Sequence, residues 1–327
     1  MKKSIWILLI ILFPLFSAAQ VKIIFDTDFG GDADDLGALA MLHHLQDNNE
    51  IELLAVMSWS TEKNVVAAID GVNRFYGNPD VPIGVRKDEP TVTEWNYTGP
   101  LAEALPHKKT NETAPDATIL YREILAQAED QSIVVVTVGP LANIQYLLKS
   151  EADDISGLSG KELVHQKVKE FVIMGGHFPE GEGEWNFDGG MKGVTKYVLE
   201  NLEVPVTFSG FEIGVKIKTA ASFESLPKTH PLYIGFAHFS ENAPWMKQYY
   251  DGKILNNSSY DQTAVLYAAR GGVGKYWDRV EGGYCVADEK GNNYWKEGPA
   301  GNQSYLVLTA PAEKMEALIT KMMLGKE

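Results

Sequence analysis

Cysteine is almost missing from this chain: Cys285 is the only one in 327 residues. No disulfide can form within the chain, and a lipid-modified cysteine at the N-terminus is excluded. Positive charge is scarce as well. Lys and Arg number 29 against 44 Asp and Glu, a net charge of -15, and that balance disfavours nucleic acid and other polyphosphate partners. Internal repeats and low-complexity linkers are absent, and long hydrophobic runs are confined to one place. Ile5 to Phe16 follows Lys2 and Lys3 and precedes Ser17, Ala18 and Ala19. The run is too short and, with Pro14, too interrupted for a comfortable membrane span, and the small residues suit cleavage before Gln20. Residues 1–19 therefore read as a secretory signal peptide, with export to the periplasm or the exterior and no membrane contact after cleavage. Losing the two lysines takes the net charge to about -17. The remaining residues, 20–327, are read as a single domain; the polar stretch Pro106 to Asp116 looks like a surface loop.

What is present is a regular alternation of strand and helix signals. Val21 to Phe25 is a short β-branched run, and Leu36, Leu39, Ala40 and His43 recur at helical spacing behind it. Apolar runs at Glu52 to Met57, Ile133 to Val138, Glu170 to Met174 and Val204 to Ser209 alternate with helical stretches near 65–76, 119–128 and 192–201. Such alternation predicts an α/β fold with a mostly parallel central sheet flanked by helices. Beyond it lie a helix over Asp261 to Arg270, a Gly-rich, hairpin-like stretch from Gly271 to Tyr305, and a closing helix near 312–324. In parallel sheets ligands sit beyond the carboxyl ends of the strands. The segments that matter are thus those directly after the apolar runs.

The first of these segments holds Asp26, Asp28, Asp32, Asp34 and Asp35 within ten residues. Like charges this close raise one another's pKa values, so a cation or protons must neutralise them in the folded state. Capping of the following helix accounts for one carboxylate, not five. An oxygen-only site built from Asp28, Asp34 and Asp35, with no paired histidine or thiolate nearby, suits a hard cation such as Ca²⁺ or Mg²⁺ rather than zinc. An EF-hand does not fit, because Gly30 takes a ligand place and Gly37 stands where the bidentate glutamate belongs.

The string DTDFGGDADD resembles the aspartate fingerprint of the inosine–uridine nucleoside hydrolase family, and three further strings match in the family's order. They are VTVGPLANI at Val136 to Ile144, VIMGG through EWN at Val172 to Asn186, and YDQTAVL at Tyr260 to Leu266. The resemblance implies a Rossmann-like α/β core and calcium-dependent hydrolysis of the N-glycosidic bond of ribonucleosides. It also implies that Asp28 binds Ca²⁺ and acts as base toward water, with Asp35, the backbone carbonyl of Val138 and Asp261 as further ligands. Glu184 and Asn186 would grip the ribose hydroxyls, with Asp32, Asp34, Ser60 and Trp185 also on the substrate side. The expected ligand is a nucleoside or related riboside, and the family habit is a homo-oligomer, dimer or tetramer.

This chain departs from the family pattern at several points. The acidic loop is about two residues longer than the usual form, so Asp32, Asp34 and Asp35 compete for the same roles; either Asp32 keeps register or the final pair keeps its place at the helix start. The second register is favoured, because the helix fixes the pair against the sheet. Tyr260 stands where many members carry a histidine before the C-terminal aspartate, and a phenol is a far weaker acid near neutral pH. His177 is the alternative leaving-group acid. Trp59, Trp95, Tyr97, Trp185 and Tyr260 are expected near the mouth, where rings can stack on a base. These departures leave two alternatives: hydrolysis of a different N-ribosyl or glycosyl compound, and calcium-dependent ribose or nucleoside binding without turnover.

Overall fold

The computed structural model describes residues 20–298 and 301–326, so the signal-peptide segment 1–19 lies outside the described residues. The strands are β1 (Val21–Thr27), β2 (Ile51–Ser58), β3 (Ile83–Val85), β4 (Ile133–Thr137), β5 (Val168–Met174), β6 (Glu180–Gly181), β7 (Val206–Ser209), β8 (Lys218–Thr219), β9 (Asn257–Ser258), β10 (Trp277–Ala287), β11 (Asn293–Glu297) and β12 (Gln303–Leu308). Ten of them form one sheet in the order β3-β2-β1-β4-β5-β7-β12-β10-β11-β6, while β8 and β9 pair separately. Every pairing from β3 through β12 is parallel. The last three strands are added antiparallel.

The central strands are apolar throughout because both of their faces are covered. Successive side chains point to opposite faces. Ile23, Phe25, Val134, Val136 and Val172 enter one core, and Ile24, Ile133, Val135, Phe171 and Ile173 enter the other. Helices Asp34–Asp47, Val65–Phe75, Tyr260–Arg270 and Ala312–Met323 cover the first face through Leu36, Val65, Ala264 and Met315. Ala117–Gln127, Ala142–Lys149, Gly160–Lys167 and Val194–Asn201 cover the second through Leu120, Ile144, Leu163 and Val198. Among the described residues, no helix is long and apolar enough to cross a membrane.

Chain order then places the crevice. From β1 the chain passes outward to β2 and β3, whereas β4, β5 and β7 follow on the other side. Connections therefore diverge between the carboxyl ends of β1 and β4, and a ligand cavity opens at such a switch point. The expected strands and helices all appear, with ends moved by a few residues. The Gly-rich stretch does contain a hairpin, β10 with β11, and β12 pairs antiparallel with β10 on its other side while lying parallel beside β7. The helix Pro231–Asn242 lay in a region with no reading from the sequence.

Candidate active site

Asp28 follows β1 directly, and Val138 follows β4, so the two meet at the switch point. Gly139 makes the approach possible: a Cβ built there would lie 2.7 Å from the Asp28 amide nitrogen and 3.1 Å from its Oδ1. Asp34 and Asp35 occupy the first turn of helix Asp34–Asp47. This helix packs on Tyr260–Arg270, whose first turn carries Asp261. Asp34 Oδ2 accepts the backbone N–H of Tyr260 at 3.1 Å and of Asp261 at 3.3 Å, so the carboxylate of one helix caps the start of the other. One carboxylate oxygen each from Asp34, Asp35 and Asp261 lie within 4.8 Å of one another. Asp34, assigned above to the substrate side, sits together with Asp35 and Asp261.

Burial pushes all of these carboxyl groups up, and their charges add to it. Asp34, Asp35 and Asp261 are held well above the ordinary carboxylate range, first by desolvation and then by neighbouring carboxylates, chiefly Asp32 for Asp34, Asp28 for Asp35 and Asp34 for Asp261. Asp28 is pushed up to about 6, chiefly by burial, against the opposing hydrogen bond from Trp185. At an effective dielectric of about 20, two carboxylates some 4 Å apart repel by about 4 kcal/mol. Several such pairs rival the whole stability of a domain, about 5–15 kcal/mol. Three buried oxygen donors of this kind, with no histidine or cysteine among the group, fit a hard cation that prefers oxygen. The neighbours are arranged to hold the acids in place: Thr27 Oγ1 donates to Asp35, and Asn257 Nδ2 donates to Asp32.

The acids form the floor of a cavity of about 650 Å³. Asp28, Asp32, Asp34, Asp35, Ser60, Val138, His177, Glu184, Trp185, Asn186, Tyr260 and Asp261, every residue given a catalytic, substrate or metal role from the sequence, line it. Glu184 caps the short helix Trp185–Asp188, accepting from the amides of Asn186 and Phe187 at 3.1 Å each and of Gly176 at 2.7 Å. Burial pushes its carboxyl up to about 7. Asn186 Nδ2 donates to the Val138 carbonyl at 2.9 Å and the Met174 carbonyl at 3.1 Å, tying the β4 and β5 ends together. The indole N–H of Trp185 donates to Asp28 Oδ2 at 2.7 Å, and its half-exposed ring stands edge-on to Trp59. Ser60 Oγ is 3.4 Å from Thr91 Oγ1.

Neither candidate acid is primed by its surroundings. Burial pushes the Tyr260 phenol up to about 12 and lowers the His177 imidazole. The two flank Phe211, which stacks on Tyr260 at 5.1 Å and lies 4.7 Å from His177. Tyr97 is a correction: it is fully buried, packs edge-on against Phe29 and is core rather than mouth. Its place is taken by Trp245, which meets Trp95 at 5.2 Å. Trp245, Phe211, Asn257 and Asn293 carried no sequence signal, since each owes its position to pairing across distant segments. Asn293 clamps the backbone of His177, accepting from its N–H at 3.0 Å and donating to its carbonyl at 2.7 Å. Buried His43, pushed down to about 4, joins Asn73 and Asn78 and is structural.

The sequence model of a family described as inosine-uridine preferring nucleoside hydrolase matches residues 23–304. No curated protein matches the chain. Among solved structures, a purine-preferring ribonucleoside hydrolase from Gardnerella vaginalis is 16% identical, with a TM-score of 0.67 over 93% of this chain and 99% of that one. A plant nucleoside hydrolase, PpNRh1, is 17% identical, with a TM-score of 0.66 over 92% and 98%. The type III effector protein XopQ, solved with adenosine diphosphate ribose, is 15% identical, with a TM-score of 0.63 over 95% and 93%. At these identities the structures establish a shared fold.

Proposed function

As a member of the inosine–uridine preferring nucleoside hydrolase family, the chain is a hydrolase of N-glycosidic bonds, and we propose that it releases base and ribose from ribonucleosides with calcium held on the acidic floor. The observation that carries the calcium reading is the convergence of Asp34, Asp35 and Asp261 beside Asp28 at the switch point. Asp34, Asp35, Asp261 and the Val138 carbonyl would hold the ion together with Asp28. When bound, such an ion neutralises the carboxylates and makes a neighbouring water easier to deprotonate.

The chain's own residues supply the rest. Asp28, with its oxygen oriented by the Trp185 indole, takes the proton from the attacking water. Glu184 retains free lone pairs beyond its three amide partners, and with Asn186 it fixes the ribose hydroxyls, so that the anomeric carbon faces Asp28. The crowded carboxylates stabilise the oxocarbenium-like sugar as the C–N bond lengthens. Export, to the periplasm or the exterior, and assembly into a dimer or tetramer complete the proposal. Both follow from the sequence reading above.

Ribose release from purine and pyrimidine nucleosides, with calcium and then with chelator, tests the reading. Asp28→Asn should lower kcat by about 10²–10⁴-fold while calcium still binds. Unchanged turnover by that variant would overturn the assignment of the base. Tight nucleoside binding with no product after long incubation would instead make the protein a binder.

A further inference from the structure

The cavity divides into two chemically different halves. Its floor carries Asp34, Asp35, Glu184 and Asp261, each at most 6% exposed. Its mouth is aromatic: Trp185 and Trp245 are 54% and 45% exposed, and each meets a second lining tryptophan, Trp59 or Trp95, edge-to-face. Phe211 stacks on Tyr260 at 5.1 Å and extends the aromatic wall. Trp95 is pinned by its N–H to the Gly31 carbonyl at 2.9 Å, which ties this wall to the acidic loop itself. Among the described residues lining the cavity there is neither lysine nor arginine; the buried Arg86 guanidinium lies behind the wall, 4.5 Å from the Trp59 ring, and takes that face.

That distribution sets what can leave through the mouth. A neutral nucleobase that departs without a proton carries negative charge, and it would do so in a cavity whose charged groups are acidic and whose only imidazole, His177, burial holds below its ordinary pKa. A heteroaromatic ring quaternised at the glycosidic nitrogen behaves differently. The C–N bond breaks, its electron pair goes to nitrogen, and the ring departs neutral with no proton required. Water oxygen adds to the anomeric carbon, and the proton it loses goes to a carboxylate. Before reaction the ring's positive charge lies against aromatic faces, which attract cations; during reaction it passes to the sugar, over the acidic floor.

We propose that the preferred substrates are ribosides with a cationic heteroaromatic leaving group, bound by the Trp95, Trp245 and Trp185 rings over the acidic floor. This rests on the hydrolase reading above and narrows it.

Two paired comparisons test it on the calcium-loaded chain from Gln20 onward. Ribose release from ribosylpyridinium and 7-methylguanosine is set against uridine and guanosine. Binding of the uncleavable C-riboside of N-methylpyridinium is set against that of neutral C-tolyl riboside, which removes the intrinsic lability of cationic substrates from the comparison. The expected result is kcat/KM at least about 100-fold higher for the cations and C-riboside binding at least about 10-fold tighter for the cation, about 1.4 kcal/mol. Trp245→Leu, which keeps apolar bulk at a half-exposed position, should lower that binding preference by about 3-fold or more. Equal kcat/KM for neutral and cationic substrates, or equal binding of the two C-ribosides, overturns this inference and leaves the hydrolase reading standing. No ribose from any of the four substrates overturns both.

Discussion

At Gly139 a single hydrogen in place of a methyl decides where the expected base sits. The β4 end passes so close to Asp28 that an added Cβ would meet its amide nitrogen and its carboxylate together, both of which belong to a segment fixed by β1. Gly139→Ala should therefore move Asp28 rather than unfold the sheet, with kcat down by about 10²-fold and a Tm within a few degrees of the parent. Steady-state kinetics beside a thermal melt checks both halves; a large drop in Tm with normal kcat would show that the site tolerates the shift. Four of the five clustered aspartates were legible in the sequence and line the cavity; the fifth, Asp26 inside β1, instead accepts from Tyr121 at 2.8 Å and Asn143 at 3.0 Å beneath the site. The partners of those four were not legible. Asn257 and Thr27 hold Asp32 and Asp35, yet neither residue type stands out unless its neighbour in space is known.

Among the elements, those that announced themselves are buried on both faces or along a full helical stripe. β4, with Ile133 to Thr137 wholly buried, could be read directly, since a continuous β-branched run has few other uses. Short elements that exist only through pairing were invisible. β6 has two residues and forms because β11 lies beside it. One helix had a local signal that went unread: Ser159 and Glu162 make a reciprocal capping box at the start of Gly160–Lys167. The role of the Gly-rich C-terminal stretch also emerged only in three dimensions. Through β11 it holds the segment that presents Glu184, Trp185 and Asn186, with Asn293 gripping His177 and the Trp295 amide bonded to the Pro179 carbonyl at 2.6 Å. Gly176, at φ +73° and with Asn293 Oδ1 only 3.0 Å from where a Cβ would be, turns the chain there. Asn293→Leu keeps the volume and loses the clamp. It should cost about 1–3 kcal/mol of stability and lower kcat/KM by about 10-fold or more, while calcium affinity stays within about 2-fold. Calorimetric titration of calcium into the variant separates a loosened substrate loop from a damaged ion site.

For the whole molecule, the acidic floor makes stability depend on calcium and pH together. In the cation-free fold these carboxyl groups keep their protons to higher pH than in the unfolded chain, with Asp28 pushed up to about 6 and Asp34, Asp35 and Asp261 held well above the ordinary carboxylate range. Raised values of this kind stabilise the fold at low pH, and that contribution is lost as pH climbs through them. Calcium binding displaces the same protons, so its affinity rises with pH. The Tm gained on replacing chelator with calcium should therefore grow between about pH 5 and pH 7.5. Buried neutral groups such as His43 titrate in both samples and cancel in the difference. A gain that stays flat with pH would argue against a carboxylate cage.

The bond from the Asp261 amide to Asp34 spans 227 residues of chain. A ribosome must deliver most of the polypeptide before the acidic loop meets its closing partner, and contacts of such long sequence separation are slow to form. Until they do, the loop's charges spread apart in water, where their repulsion is weak. Ion capture then becomes a late event in maturation, and a molecule clipped or cut short ahead of residue 260 has the opening half of the cage with nothing to shut it. A tightly held ion would certify that the chain has been made and folded at least as far as the helix that carries Asp261.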